Sequence, residues 1–179
     1  PETASGTPIT LAHDLDVGVS ALAPFLKMKT LAAVGGRAAG IERLKDLERH
    51  GRYTDQRDVM AEDGTTLLSP YLKHGCTSVR EACWGIMLEL PHTHEPLIRQ
   101  LYWRDFFTHL TFFHPNVLGK AFKPLYDRVR WDEPGENFER WKKGETGFPI
   151  VDAGMRQLNE TGWMHNRARM ITASFLVKD

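Results

Sequence analysis

An all-α fold is predicted by three features of the sequence. No stretch alternates apolar and polar residues at period two over the length of a strand. Apolar residues instead recur at three-residue steps, as in Ile41, Leu44 and Leu47. Helix punctuation is frequent: Ser78 with Glu81 three residues on, then Pro91, Pro115 and Pro149, and the closing glycines Gly51 and Gly162.

Residues 1–14, rich in Thr, Ser, Pro and Gly, read as a loose lead-in, and Ser20 to Met28 as a helix. A division follows into residues 1–36, lead-in and linker helices, and residues 37–179, the helical domain proper. Arg37 to His50 forms a helix with one buried stripe, stopped by Gly51. Gly51 to Gly64 is polar and turn-rich, and Thr65 to Pro70 continues it as a Thr/Ser-rich turn. Ser78 and Glu81 form a capping box, each side chain satisfying a free backbone donor, and open a helix that runs to about Leu90. Glu95 to about Phe113 is the longest helix, with Leu97, Ile98, Leu101, Phe106 and Leu110 on its apolar side. Residues 115–135 are irregular, and Glu136 to Lys142 is helical again. Pro149 sits in the first turn of the next helix and Gly162 closes it. The last helix begins near Trp163.

The 179 residues correspond to one domain at about 100–200 residues each. Hydrophobic residues at 41% and charged residues at 26% exclude a mainly disordered chain. Lys plus Arg and Asp plus Glu are 23 each, which excludes a polybasic tail but not one basic face. Cys76 and Cys83 cannot form a disulfide framework and read as buried or idle thiols in a reducing compartment. No apolar run reaches the ~20 residues of a membrane span, and Pro1 to Thr10 shows no signal peptide. The expectation is a cytoplasmic protein away from membranes. Pro1 at one end and a helix still in progress at Asp179 are read as a piece of a longer protein.

Several side-chain sets have the spacing of a site. Gln100, Trp103, Arg104 and Phe107 share one helix face, where an amide, an indole and a guanidinium could meet a planar ligand. Core packing with two surface polars accounts for the same spacing. Asn166, Arg169 and Met170 repeat the arrangement on the last helix, flanked by His165 and Arg167, and a solvated amphipathic face is the alternative. Thr65, Thr66 and Ser69 could cradle a diphosphate or form an ordinary turn. Gly35 to Gly40 lacks the G-x-G of a dinucleotide fingerprint and belongs to a helix boundary. His92, His94, His109 and His114 match no zinc spacing, so no metal site is expected. Trp84, Trp103, Trp131, Trp141 and Trp163 suit either packing or stacking on a flavin or base.

Longer blocks carry a family resemblance. Tyr102-Trp103-Arg104-Asp105-Phe106 resembles the W-R-[DE]-[FY] signature of the DNA photolyase/cryptochrome family. Lys143 to Ala153 is similar to that family's K-G-x-T-G-[YF]-P-x-[IV]-D-A. Thr161 to Met170 resembles T-G-W-M-H-N-R-x-R-M in the form found in class I cyclobutane pyrimidine dimer photolyases. Gln56-Arg57-Asp58 and Gly64 to Tyr71 resemble its Q-R-D and G-T-S-x-L-S-P-Y-L segments. The blocks run in the expected order from about residue 40 to the end.

The resemblance implies a helical FAD-binding domain, incomplete at the C-terminus, with FAD as cofactor. It places Tyr53, Thr65, Thr66, Leu67, Leu68, Ser69, Gln100, Arg104, Asn166 and Arg169 around the cofactor. Gln100, Trp103, Asn166 and Met170 would line the lesion pocket, and Trp131 would be the outer member of a tryptophan chain. Arg57, Trp103 and Arg167 would contact DNA. The two polar-and-aromatic helix faces are then expected to meet across a gap sized for the flavin. The implied reaction flips a dimer out of UV-damaged DNA, passes an electron to it from light-excited reduced FAD, splits the ring and recovers the electron. A monomeric parent is implied, with a folate- or deazaflavin-type antenna in an amino-terminal domain. Gln100 stands where a Glu is usual, and Leu67 where an arginine is common. Without the later family segments, residues 1–179 alone are expected to bind FAD poorly and to be inactive. A cryptochrome-type photoreceptor and an inactive helical interaction module are the alternatives.

Overall fold

A computed structural model describes residues 31–178, all of whose regular elements are helical. The lead-in and the helix read at Ser20 to Met28 lie outside the described residues. Helices α1 (Arg37–Lys45), α2 (Tyr53–Gln56), α3 (Ser69–Lys73), α4 (Val79–Glu89) and α5 (Glu95–Phe113) form a first group. Its core is Leu44, Leu47, Leu68, Ala82, Ile86, Leu90, Leu97 and Leu101. Helices α6 (Glu136–Lys143), α7 (Pro149–Thr161) and α8 (Asn166–Lys178) form a second group, centred on Met155, Met164 and Ala168 with Trp141 packed against them.

Local signals set most boundaries. Ser78 accepts from the Glu81 N–H at 3.1 Å and Glu81 accepts from the Ser78 N–H at 2.9 Å, the full capping box. α5 has the bounds read from sequence, and His94 stands at its N-cap. Gly162 ends α7 at φ 72°, where a residue without Cβ is favoured.

Four readings are corrected. Arg37 to His50 is not one helix: α1 ends at Lys45, and a 3₁₀ turn, Leu47–His50, follows. The tighter turn puts Leu47 and His50, three apart, on one side, and both are buried. The turn-rich stretch after Gly51 holds the short α2, and α3 starts within the Thr/Ser turn, with Pro70 in its first turn. Phe106 is exposed, because α5 turns Leu97 and Leu101 into the core and leaves Phe106 on the other side. The last helix starts at Asn166, because Met164 and His165 are buried in a non-helical approach to it.

The Lys143–Ala153 block is a folding device. Asp152 is buried and accepts from Thr146 N at 2.8 Å, Thr146 Oγ1 at 2.6 Å and Gly147 N at 2.9 Å. Those bonds pin the turn that delivers Pro149 to the start of α7. Arg156 Nε donates to the Gly144 carbonyl at 3.0 Å from the other side. The Trp141 indole donates to the Thr172 carbonyl at 3.0 Å and ties α6 to α8.

Two polar bonds tie the second group to the rest of the chain among the described residues, one of them from the segment ahead of α1. The Ala32 N–H donates to the Thr161 carbonyl at 3.1 Å. Arg167 Nε donates to Asp58 Oδ1 at 2.9 Å. No described helix is long and apolar enough to cross a membrane.

Candidate cofactor and nucleic-acid site

Apart from Trp131, the site residues singled out from sequence fall on three surfaces. The first is the outer face of α5. The Trp103 and Phe107 rings stack with centroids 6.1 Å apart and planes 29° from parallel. Phe106 meets Trp103 edge-on at 5.6 Å. Trp103 is 51% exposed and Phe107 57%, so the pair forms an aromatic platform open to solvent. Arg104 lies on the same face, 3.3 Å from Asp105. The Gln100 amide donates to the Pro96 carbonyl one turn back, at 3.3 Å.

The second surface is the start of α8. Asn166 Nδ2 lies 3.9 Å from Met170 Sδ, and Met170 is 57% exposed. Arg169 donates to the Met164 carbonyl at 3.0 Å, which secures the approach to the helix. His165 is buried beside it; its Nδ1 accepts from the Arg167 N–H at 3.1 Å, and its Nε2 has no partner.

The third surface is the Tyr53–Ser69 segment. Tyr53 packs against the first core, and burial pushes its phenol up. The Arg57 guanidinium lies over its ring, 5.6 Å from the centroid. The loop then doubles back so closely that a Cβ on Gly64 would sit 2.6 Å from the Gln56 carbonyl oxygen. Leu67 has φ 51°, a left-handed conformation rare for a branched side chain, followed by a right-handed Leu68. Successive left- and right-handed residues turn neighbouring N–H groups toward one concave side. The backbone N–H groups of Thr65 to Ser69 and the hydroxyls of Thr65, Thr66 and Ser69 have no hydrogen-bond partner among the described residues.

The structure bears on two of the site expectations. Leu68 does not offer its side chain to a ligand, because it is buried in the first core and only its backbone faces the loop. The two polar-and-aromatic helix faces both open to solvent. Trp103 and Met170 are both more than half exposed, and no hydrogen bond or ion pair joins α5 to α8. Each helix spends its apolar stripe on its own core, which leaves the polar-and-aromatic faces as open walls. Trp131 is 67% exposed and lines an open groove with Trp141, Phe148 and Phe175.

Asp58 was not among the residues selected from sequence. It pairs with Arg167 at 2.9 Å and with Arg57 at 3.6 Å. The Arg167 hydrogen bond holds its carboxyl below the usual aspartate range. Its place in the Gln56-Arg57-Asp58 block, next to Arg57, was the local signal; the Arg167 partner is distant in sequence.

A helical domain with an aromatic platform, an arginine cluster and a loop of free donors is of the kind that holds a large anionic cofactor. Residues 97–179 match the family described as the FAD binding domain of DNA photolyase. Across most of its length the chain is similar to members of the DNA photolyase/cryptochrome family. It is 45% identical over 135 residues to the deoxyribodipyrimidine photo-lyase of Escherichia coli K12, covering 72% of this chain and 29% of that protein. Its fold resembles a class III photolyase from Agrobacterium tumefaciens, with TM-score 0.77 and 35% identity, over 82% of this chain and 32% of that one. It also resembles a Synechocystis cryptochrome, with TM-score 0.72 and 37% identity, over 83% of this chain and 33% of that one. The chain thus spans about a third of the length of these relatives.

Proposed function

We propose that this chain is the cofactor-binding part of a deoxyribodipyrimidine photolyase, a lyase that uses light and FAD to split cyclobutane pyrimidine dimers in UV-damaged DNA. The supporting observation is the exposed Trp103–Phe107 stack with Arg104 on the same helix face. A flat apolar surface beside a cation suits the two linked pyrimidines of a dimer taken out of the helix, whose unstacking it offsets.

The donor set at Thr65 to Ser69 fits a diphosphate, because it offers unpaired N–H and O–H groups on a concave backbone. In this reading those residues, through the Leu67 and Leu68 backbone as well, hold the FAD diphosphate. Tyr53, Gln100, Arg104, Asn166 and Arg169 hold the remainder of the cofactor. Bound FAD in its reduced form supplies an electron donor that light can excite. The chain's own residues orient the dimer against Trp103 and Met170, exclude water with Phe106 and Phe107, and bind the DNA backbone through Arg57 and Arg167. Trp131 is assigned to electron supply from the surface. A soluble monomer working in the cytoplasm completes the reading.

A cryptochrome-type photoreceptor is the second reading, and Gln100 favours it. An amide bonded to its own helix cannot deliver the proton or charge that a carboxylate could. The deciding experiment illuminates the protein at its natural length with an oligonucleotide carrying one dimer. Light-dependent loss of the dimer is expected, with Trp103→Ala reducing affinity for the damaged strand while flavin absorbance is retained. Bound flavin with no dimer loss would establish the photoreceptor reading, and no flavin on titration would leave an inactive helical module.

A further inference from the structure

We infer that Asp58 is a positioning residue that presents Arg57 and Arg167 together to one phosphodiester of the DNA backbone. This rests on the DNA-binding reading above and adds to it a residue that touches no DNA itself.

Asp58 is one carboxylate between two guanidiniums. Arg167 Nε reaches its Oδ1 at 2.9 Å and Arg57 Nε reaches the same oxygen at 3.6 Å. Both arginines meet Asp58 through Nε. Their Nη groups have no hydrogen-bond partner among the described residues. A guanidinium held this way keeps an edge of its donor fork free for a second anion, and phosphate accepts such a fork in bidentate fashion. The trio retains a net positive charge, so an arriving phosphate need not displace Asp58.

The arginines come from different parts of the fold. Arg57 caps α2 and is steadied by the Tyr53 ring, which packs on the first core. Arg167 is in the first turn of α8, anchored by the second core. The Asp58–Arg167 bond is the one side-chain hydrogen bond joining the two helix groups among the described residues. It is half exposed, with side chains 48% and 44% accessible, so it adds little to stability. What it adds is convergence, since two long side chains lose rotamer freedom before the phosphate arrives.

Electrostatics alone and positioning predict opposite signs. Removing a negative charge beside a polyanion site should tighten DNA binding if only net charge matters. If Asp58 positions the arginines, Asp58→Ala should weaken binding by roughly tenfold, the scale of a lost charge-assisted hydrogen bond. The slope of log affinity against log salt should fall by about one. A backbone contact carries no lesion information, so damaged and undamaged duplexes should weaken by the same factor. Asp58→Asn keeps an acceptor oxygen and should recover part of the loss.

The measurement is fluorescence anisotropy with matched damaged and undamaged oligonucleotides, using flavin-loaded protein at its natural length. Equal or tighter binding by Asp58→Ala overturns the inference, as does a loss confined to damaged DNA. If that variant does not fold, Asp58→Glu decides. Its longer side chain keeps the charge but displaces both guanidiniums, so several-fold weaker binding is expected and wild-type affinity overturns the inference. Failure of the wild-type protein to bind damaged DNA at all would instead overturn the functional reading, and this inference with it.

Discussion

The carboxylate of Asp152 receives both the hydroxyl and the backbone N–H of Thr146, at 2.6 and 2.8 Å, and so closes the turn ahead of α7. The Thr146 hydroxyl bond, with the N–H groups of Thr146 and Gly147 behind it, holds this carboxyl below the usual aspartate range against the effect of burial. A carboxylate whose folded pKa is depressed adds stability that is full above its unfolded pKa, about 3.9. That stability is lost as pH falls through the lower, folded value. Asp152→Asn should therefore lower Tm by several degrees at neutral pH, and the gap to wild type should narrow below about pH 4. Thermal unfolding of both proteins from neutral to acid pH reads this directly. A gap independent of pH would show that the charge of Asp152 is not what holds the turn.

The capping box at the head of α4 allows a second measurement. Arg37, the Ser78 N–H and the Ser78 hydroxyl together draw Glu81 down to about 2. Ser78→Ala removes the cap on the Glu81 N–H and should cost about 1 kcal/mol in urea unfolding. α4 carries Ala82 and Ile86 into the first core, so the loss should appear in global stability and not as local fraying. Glu81→Gln should lose its effect as pH falls from the ordinary glutamate range toward 2. Unchanged stability of Ser78→Ala would mean that packing alone sets the start of α4.

Gly64 separates a folding effect from a cofactor effect. A Cβ there would meet the Gln56 carbonyl oxygen at 2.6 Å and Gln56 Cβ at 2.7 Å, and backbone cannot move aside as a flexible side chain can. Gly64→Ala should push the Thr65–Ser69 loop outward and reduce the flavin retained per protein. Helix content by circular dichroism should change little, because Thr65 to Leu68 lie outside the helices and only Ser69 belongs to α3. Full flavin occupancy in this variant would place the diphosphate elsewhere.

The presence and order of the family blocks were legible from residue type and spacing, yet their physical roles were not. Tyr102 to Phe106 reads as a cofactor-facing motif, and the structure makes the Trp103–Phe107 stack an open platform. Lys143 to Ala153 reads as a signature, and its Asp152 proves to be a buried turn clamp. Leu68 sits within a ligand-loop motif, but its side chain belongs to the core. Motif spacing records which residues occur together. It does not separate a side chain that touches a ligand from one that holds the loop in place.

The helical class, the Glu95–Phe113 bounds and the Ser78 start followed from the chain alone. Each depends on interactions within about four residues, such as caps, prolines and the period of apolar positions. The break at Asp46, the late start of α8 at Asn166 and the meeting of Asp58 with Arg167 depended on packing between distant segments. A single carboxylate can stand between an adjacent arginine and one 109 residues away only after two separate cores have set where each helix lies.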